Sequence, residues 1–207
     1  VGERSLPFTF PDPAAITVSE DNDSIGTASS LGLQTGLTNS NFTGFQAIGD
    51  GQFGTTSGDF DFYSFDALFG ELYVFDILSD RTFDPLIGMF DSQGNLIQFN
   101  NNERSGQLDP YLVWTPETNG TYFICVTSVT QQAVSQNFPQ HPLTPGTGNG
   151  AGPTGVYAMT SYRLTPSLVA NEPNGTISQA IPIYSQPNTP SEFFLFGFID
   201  NATFSGD

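Results

Sequence analysis

Carboxylates and carboxamides crowd two short stretches of this chain. One is Glu20-Asp21-Asn22-Asp23, and the other holds Asp59 and Asp61 within Gly58-Asp59-Phe60-Asp61-Phe62-Tyr63-Ser64-Phe65. Ca²⁺ is held by hard oxygen donors of this kind, about six to eight of them, drawn from carboxylates, amide carbonyls and backbone carbonyls. In a strand, Asp59, Asp61 and Tyr63 share one face, and two carboxylates beside a buried aromatic are costly without a counter-charge. A bound cation relieves that conflict; solvated turn residues ahead of a strand are the alternative. The acidic residues also recur. Glu20, Asn22 and Ala28 return at one constant spacing as Glu172, Asn174 and Ala180, and Gly49 and Asp59 return at a slightly shorter one as Gly197 and Asp207. Internal self-similarity of this kind marks arrays of stacked units. The candidate oxygen donors are Glu20, Asn22, Asp23, Asp59 and Asp61, with Glu172, Asn174 and Asp207 in the second copy, where the sequence stops before a counterpart of Asp61.

Other chemistries find little support. His141, the one histidine, falls in a Pro- and Gly-rich stretch with no nucleophile placed near it, and no Gly-x-Ser-x-Gly, His-Glu-x-x-His or phosphate-loop pattern occurs. Cys125 stands alone, which excludes an internal disulfide and any multi-cysteine zinc site. With 21 acidic residues against four basic ones, the formal charge is −17. A field of that sign repels phosphate backbones and anionic membranes, so nucleic acid is not an expected partner. No apolar run is long enough for a membrane-spanning helix, and none is expected to insert.

The elements that must position these residues read as strands. Fifteen Pro and 22 Gly punctuate short apolar runs rich in aromatic and branched residues, the pattern of an all-β sandwich or barrel. Strands are expected at 16–18, 45–48, 60–65, 71–78, 85–90, 95–99, 111–114, 121–128 and 156–164. Asp91-Ser92-Gln93-Gly94 should close a hairpin, with Gly94 at positive φ. Asp84-Pro85 and Asp109-Pro110 read as loop ends, each Asp bonding nearby backbone donors while the Pro opens an edge strand. From Thr130 to Thr154 the composition turns to Gln, Pro, Gly, Thr and Asn, and a long surface loop is expected. Residues 1–15 read as an extension or linker, 16–167 as one complete module, and 168–207 as the start of a second repeat. The start at Val1, without Met, fits a processed or excised chain.

The order of these signals resembles the bacterial pre-peptidase C-terminal domain family, related to clostridial collagen-binding modules. The resemblance is carried by Glu20-Asp21-Asn22-Asp23 with Ala28, by residues 58–65, by Asp84-Pro85-Leu86-Ile87-Gly88-Met89-Phe90-Asp91-Ser92-Gln93-Gly94, and by Asp109-Pro110-Tyr111-Leu112-Val113-Trp114. Gly120-Thr121-Tyr122-Phe123-Ile124-Cys125-Val126 and Gly155-Val156-Tyr157 complete it. It implies an antiparallel, jelly-roll-like β-sandwich stabilised by Ca²⁺, with the Glu20 segment supplying the ligands that Asp59 and Asp61 lack. Against the family pattern, Asn100-Asn101-Asn102-Glu103 stands where an acidic pair is usual, and the 130–154 loop is an insertion. The resemblance also implies that Tyr122, Ile124 and Val126 point inward, leaving Phe123 and Cys125 on an outer face where polar residues are usual. That face must be covered, by the long loop or by another subunit.

The expected role is a secreted, non-enzymatic calcium-binding module, a structural or adhesive repeat or a fibre subunit. Its partners would be neighbouring repeats or copies of itself, or an extracellular polymer. The Phe-rich window 193–199 motivates strand addition, with Phe193, Phe194, Phe196 and Phe198 joining Phe123 and Cys125 as interface candidates. An accessory module that binds substrate for a secreted peptidase or other hydrolase is the alternative. Trp114 and other aromatics could then contact sugar or peptide.

Overall fold

The computed structural model describes residues 21–33, 41–49, 58–103, 108–130, 137–148 and 152–164. The chain divides into Val1–Thr165 and Pro166–Asp207, and every described residue belongs to the first unit. The expected strand at 16–18, the candidate ligands Glu20, Glu172, Asn174 and Asp207, and Phe193, Phe194, Phe196 and Phe198 lie outside the described residues.

Among the described residues nine strands form two sheets. They are β1 (Ser29–Ser30), β2 (Asn41–Ile48), β3 (Asp61–Ala67), β4 (Leu72–Ser79), β5 (Pro85–Phe90), β6 (Leu96–Asn100), β7 (Tyr111–Trp114), β8 (Gly120–Ser128) and β9 (Gly155–Leu164). One sheet runs β1-β3-β8-β5-β6 and the other β2-β9-β4-β7. Among the described residues β1 pairs parallel to β3 and the other pairings are antiparallel. This is the expected antiparallel sandwich, and apart from β1 each described strand falls on an apolar run that the sequence marks.

Alternation of side chains sets the core. Tyr63 and Phe65 on β3, Tyr73, Phe75 and Ile77 on β4, Ile87 and Met89 on β5, Ile124 and Val126 on β8, and Tyr157 and Met159 on β9 meet between the sheets. Phe65 centres an aromatic group there, with ring centroids 5.2 Å from Tyr73, 5.1 Å from Phe75 and 6.3 Å from Trp114. Trp114, a candidate ligand contact in the sequence, is instead half-buried against this core and 4.6 Å from Tyr122.

The turns carry their own chemistry. In the β5–β6 hairpin Gly94 has φ 82°, and the Asp91 carboxylate accepts from the backbone N–H groups of Gln93 and Asn95 and from the Asn95 amide. Burial alone would raise Asp91, but these bonds outweigh it and hold it below the usual carboxylate range. Asp109 accepts from Ser79 N–H at 3.0 Å and Ser79 Oγ at 2.6 Å, as a loop-ending Asp should. Pro85 corrects the edge-strand expectation, since β5 lies between β8 and β6. As the first residue of its strand Pro85 still fits the rule that keeps Pro out of strand interiors.

Arg81 adopts φ 66° in the turn after β4, a left-handed conformation unusual for a residue with a Cβ. Asp80 holds this turn, its carboxylate accepting from Thr82 N–H at 2.9 Å and Val156 N–H at 3.1 Å. Arg81→Gly should therefore stabilise the fold by about 0.5–1 kcal/mol, because relief of the left-handed strain exceeds the chain entropy that Gly adds to the unfolded state. A urea midpoint that drops in this variant would refute that.

Candidate metal centre

The two acidic stretches meet at the start of β3. The carbonyl of Asn22 accepts the Phe62 N–H at 2.9 Å, which lays residues 22–24 against the strand. Asn22, Asp23, Ser24, Asp59 and Asp61 are all buried, Asp61 completely. Asp59 is fixed from two sides: its carbonyl accepts from Thr127 Oγ1 at 2.8 Å, and its Oδ2 accepts from Gly49 N–H at 2.5 Å. Gly49 has φ 107° and lies so close to Thr154 that a Cβ there would fall 2.2 Å from its methyl carbon. A larger residue would displace that donor.

Asp23 and Asp59 form a like-charged pair. Burial first, and then the charge and hydrogen bond of Asp59, push the Asp23 carboxyl up to about 6 from its ordinary 3.8, while the Phe60 backbone N–H works in the opposite direction. Asp23 Oδ1 is buried with no hydrogen-bond partner among the described residues, although the residue is only 6% exposed. No cation offsets the pair among the described arginines: Arg163 is bound to Glu71, and Arg81 occupies the β4 turn. Two buried carboxylates with an unused oxygen can share a proton or a metal ion.

Asp61 also ties the two sheets together. Its Oδ2 accepts a short hydrogen bond from the Tyr157 hydroxyl, which lies 2.7 Å from that of Tyr63. This links β3 to β9 across the sandwich. The nearby Cys125 thiol is pushed well above its usual range by burial first and then by Asp61, Asp59 and Asp23, so it is an inert core thiol. Among the described residues no group of three or more His, Cys, Asp and Glu side chains could hold a metal ion by itself. A cation here would need the Asn22 amide, backbone carbonyls or donors beyond the described residues.

A second acidic pair, Asp84 and Asp109, sits at the β5 and β7 starts. Asp84 is raised by burial first and then by the charge of Asp109, and its Oδ1 is buried without a hydrogen-bond partner among the described residues. The sequence reading of Asp84 as a simple turn cap misses this. Asn100 is the last residue of the adjacent β6, paired with Ile87, and Asn101 follows it.

The outer face of the β1-β3-β8-β5-β6 sheet is apolar as well. Phe60, Phe62, Leu86, Phe90, Phe123 and Cys125 form a second buried cluster closed by Phe138. Phe123 and Cys125 are therefore covered by the chain's own 137–148 segment, which corrects their assignment to an intermolecular interface. That segment was expected to be surface loop, yet Asn137, Phe138, Pro139 and Pro142 are buried. His141 is exposed within it, and its hydrogen bonds run through its backbone to Thr144 and Thr147.

Comparison with protein-family models and with curated protein sequences finds no match. In structure the chain is similar to the periplasmic inhibitor of g-type lysozyme, PliG, of Aeromonas hydrophila, at 14% identity over 66% of this chain and 96% of that one, with a TM-score of 0.40. It is also similar to the pre-peptidase C-terminal domain of a Bacillus anthracis collagenase, at 14% identity over 65% and 93%, with a TM-score of 0.38. PliG of Salmonella Typhimurium gives 13% identity over 66% and 99%, with a TM-score of 0.36. The second of these belongs to the family that the ordered motifs resemble. Among the described residues no helix is long and apolar enough to cross a membrane.

Sequence reasoning missed Tyr157 and Gly49 as parts of this site. A signal for Gly49 was present, because it recurs together with Asp59 at an unchanged separation, as Gly197 and Asp207. The hydrogen bond between Gly49 and Asp59 gives that shared spacing a physical reason.

Proposed function

We propose that this β-sandwich is a secreted, non-enzymatic structural or adhesive module in which Ca²⁺ pins the 21–24 segment to the start of β3. The observation that carries the reading is the buried Asp23–Asp59 pair, with no arginine set against it and Asp23 Oδ1 unused among the described residues. Asp23 and Asp59 would hold the ion with oxygens from Asn22 and Glu20, and the ion would supply the missing counter-charge. Asp61 would buttress the site from behind through Tyr157 rather than serve as a first choice of ligand. The internal repeat and the apolar window 193–199 support neighbouring repeats, or copies of the same chain, as partners.

Calcium in millimolar excess should raise the melting temperature by several degrees, and excess chelator should lower it. Unchanged melting in both would remove calcium from the proposal. Sedimentation at high concentration tests assembly separately: a monomer with and without calcium would exclude self-association and leave the module reading standing. Pull-down on insoluble collagen or polysaccharide would favour the accessory-module role.

A further inference from the structure

The outer face of the β1-β3-β8-β5-β6 sheet is covered by two pieces of chain remote in sequence. The turn Ile25–Thr27 and its neighbour bring Ile25 and Ala28, and the 137–148 segment brings Phe138. The two pieces are joined to each other, the Ile25 N–H donating to the Pro142 carbonyl at 2.9 Å. Phe138 lies on Gly88, where a Cβ would come within 2.5 Å of its ring, and its centroid is 5.5 Å from Phe90 and 6.3 Å from Phe99. The segment also satisfies itself internally: Gln140 N–H donates to Thr147 O at 3.0 Å and Thr144 N–H to His141 O at 2.8 Å. It is held to the rest of the sandwich by the Phe138 ring seated on Gly88, by Asn137 Oδ1, which accepts from Thr130 N–H at 2.7 Å and from Thr130 Oγ1, and by Pro142 and Leu143 over the Gly94 turn. Beneath it β3 and β8 are locked by a continuous antiparallel register from Asp61↔Val126 to Ala67↔Gly120.

We propose that residues 24–28 and 137–148 form one hinged strap, which opens as a unit and bares Phe62, Phe123 and Cys125 while the two sheets stay intact. The physical basis is the contrast in holding forces. A short segment held by one ring, its prolines and a few hydrogen bonds at its ends opens at lower free energy than a strand ladder buried on both faces. The Ile25–Pro142 bond makes the two pieces release together. Residue 24 is shared with the segment that calcium would pin, so labelling is compared in excess chelator.

Cys125, the only thiol of the chain and fully buried beneath the strap, reports the opening directly. Gly88→Ala puts a methyl group where the Phe138 ring lies and touches neither the acidic pair nor the inter-sheet core. In the full-length chain it should speed Cys125 labelling by methyl methanethiosulfonate about tenfold or more without denaturant, while far-UV dichroism stays that of the sandwich. The amides of Ile25, Gln140 and Thr144 should then gain hydrogen exchange together. Should Gly88→Ala fold poorly, Phe138→Ala frees the same face by deleting the ring. Ile77→Val, in the other core, is the control that lowers global stability alone and should leave labelling slow. The strap is overturned if Ile77→Val speeds labelling as much as Gly88→Ala does. It is equally overturned if Ile25 keeps its protection while Gln140 and Thr144 lose theirs.

Discussion

Replacing Asp23 with Asn is expected to stabilise the calcium-free protein at neutral pH and, in the same molecule, to abolish its stabilisation by calcium. The two effects share one cause. In the folded chain the Asp23 carboxyl titrates near 6, against 3.8 ordinarily, because burial and the Asp59 charge disfavour its ionised form. The folded state thus holds a proton that the unfolded chain has released between those values. Stability therefore falls as pH rises from about 4 to 6, and above 6 the full penalty of the ionised pair remains. A shift of this size corresponds to about 1–3 kcal/mol. Asn carries no charge, and its amide can donate to the Asp59 carboxylate. Urea midpoints at pH 5 and 7.5, in chelator and in calcium, should show a steep fall for wild type without calcium and a flatter line for Asp23→Asn. Retention of the wild-type calcium response by the variant would show that the ion binds elsewhere.

Tyr157→Phe should be the most damaging single-atom deletion in the sandwich, at about 2–3 kcal/mol. The lost hydroxyl bonds to Asp61, which is completely buried, and touches the Tyr63 hydroxyl at 2.7 Å. Hydrogen bonds to a charged group are worth roughly twice neutral ones, and a buried carboxylate that loses a donor bears its desolvation cost. Tyr63→Phe removes a neutral contact one step further from the carboxylate and should cost about 1 kcal/mol. Chemical denaturation of both single variants and the double variant gives the coupling. Equal costs for the two single changes would mean that Tyr157 does not carry Asp61.

Most of the sheet layout was legible because its strands combine short apolar runs with turn residues at both ends. The inward set Tyr122, Ile124 and Val126 and the outward set Phe123 and Cys125 fall on the expected faces of β8. Three things were not legible, each for a physical reason. β1 is two serines, Ser29 and Ser30, whose pairing with Tyr63 and Ser64 owes nothing to their own propensity. The 137–148 cover hides in a polar, Pro-rich composition, because one aromatic residue, Phe138, anchors it. Asp61 shares its strand face with Asp59 by spacing, but which carboxylate meets Asp23 and which meets a tyrosine depends on β9, remote in sequence.

Apolar residues on both faces of one sheet also constrain how this chain can change over time. Phe123, Cys125, Gly88 and Phe138 form an interdependent set: the outward side chains are tolerable only beneath the cover, and the cover seats only on a glycine. A lineage that deleted the 137–148 segment would need to replace Phe123 and Cys125 with polar residues at nearly the same time. One that enlarged Gly88 would lose the seat first. Substitutions at these four positions should therefore be far from additive, and their historical order matters more than the cost of any one of them.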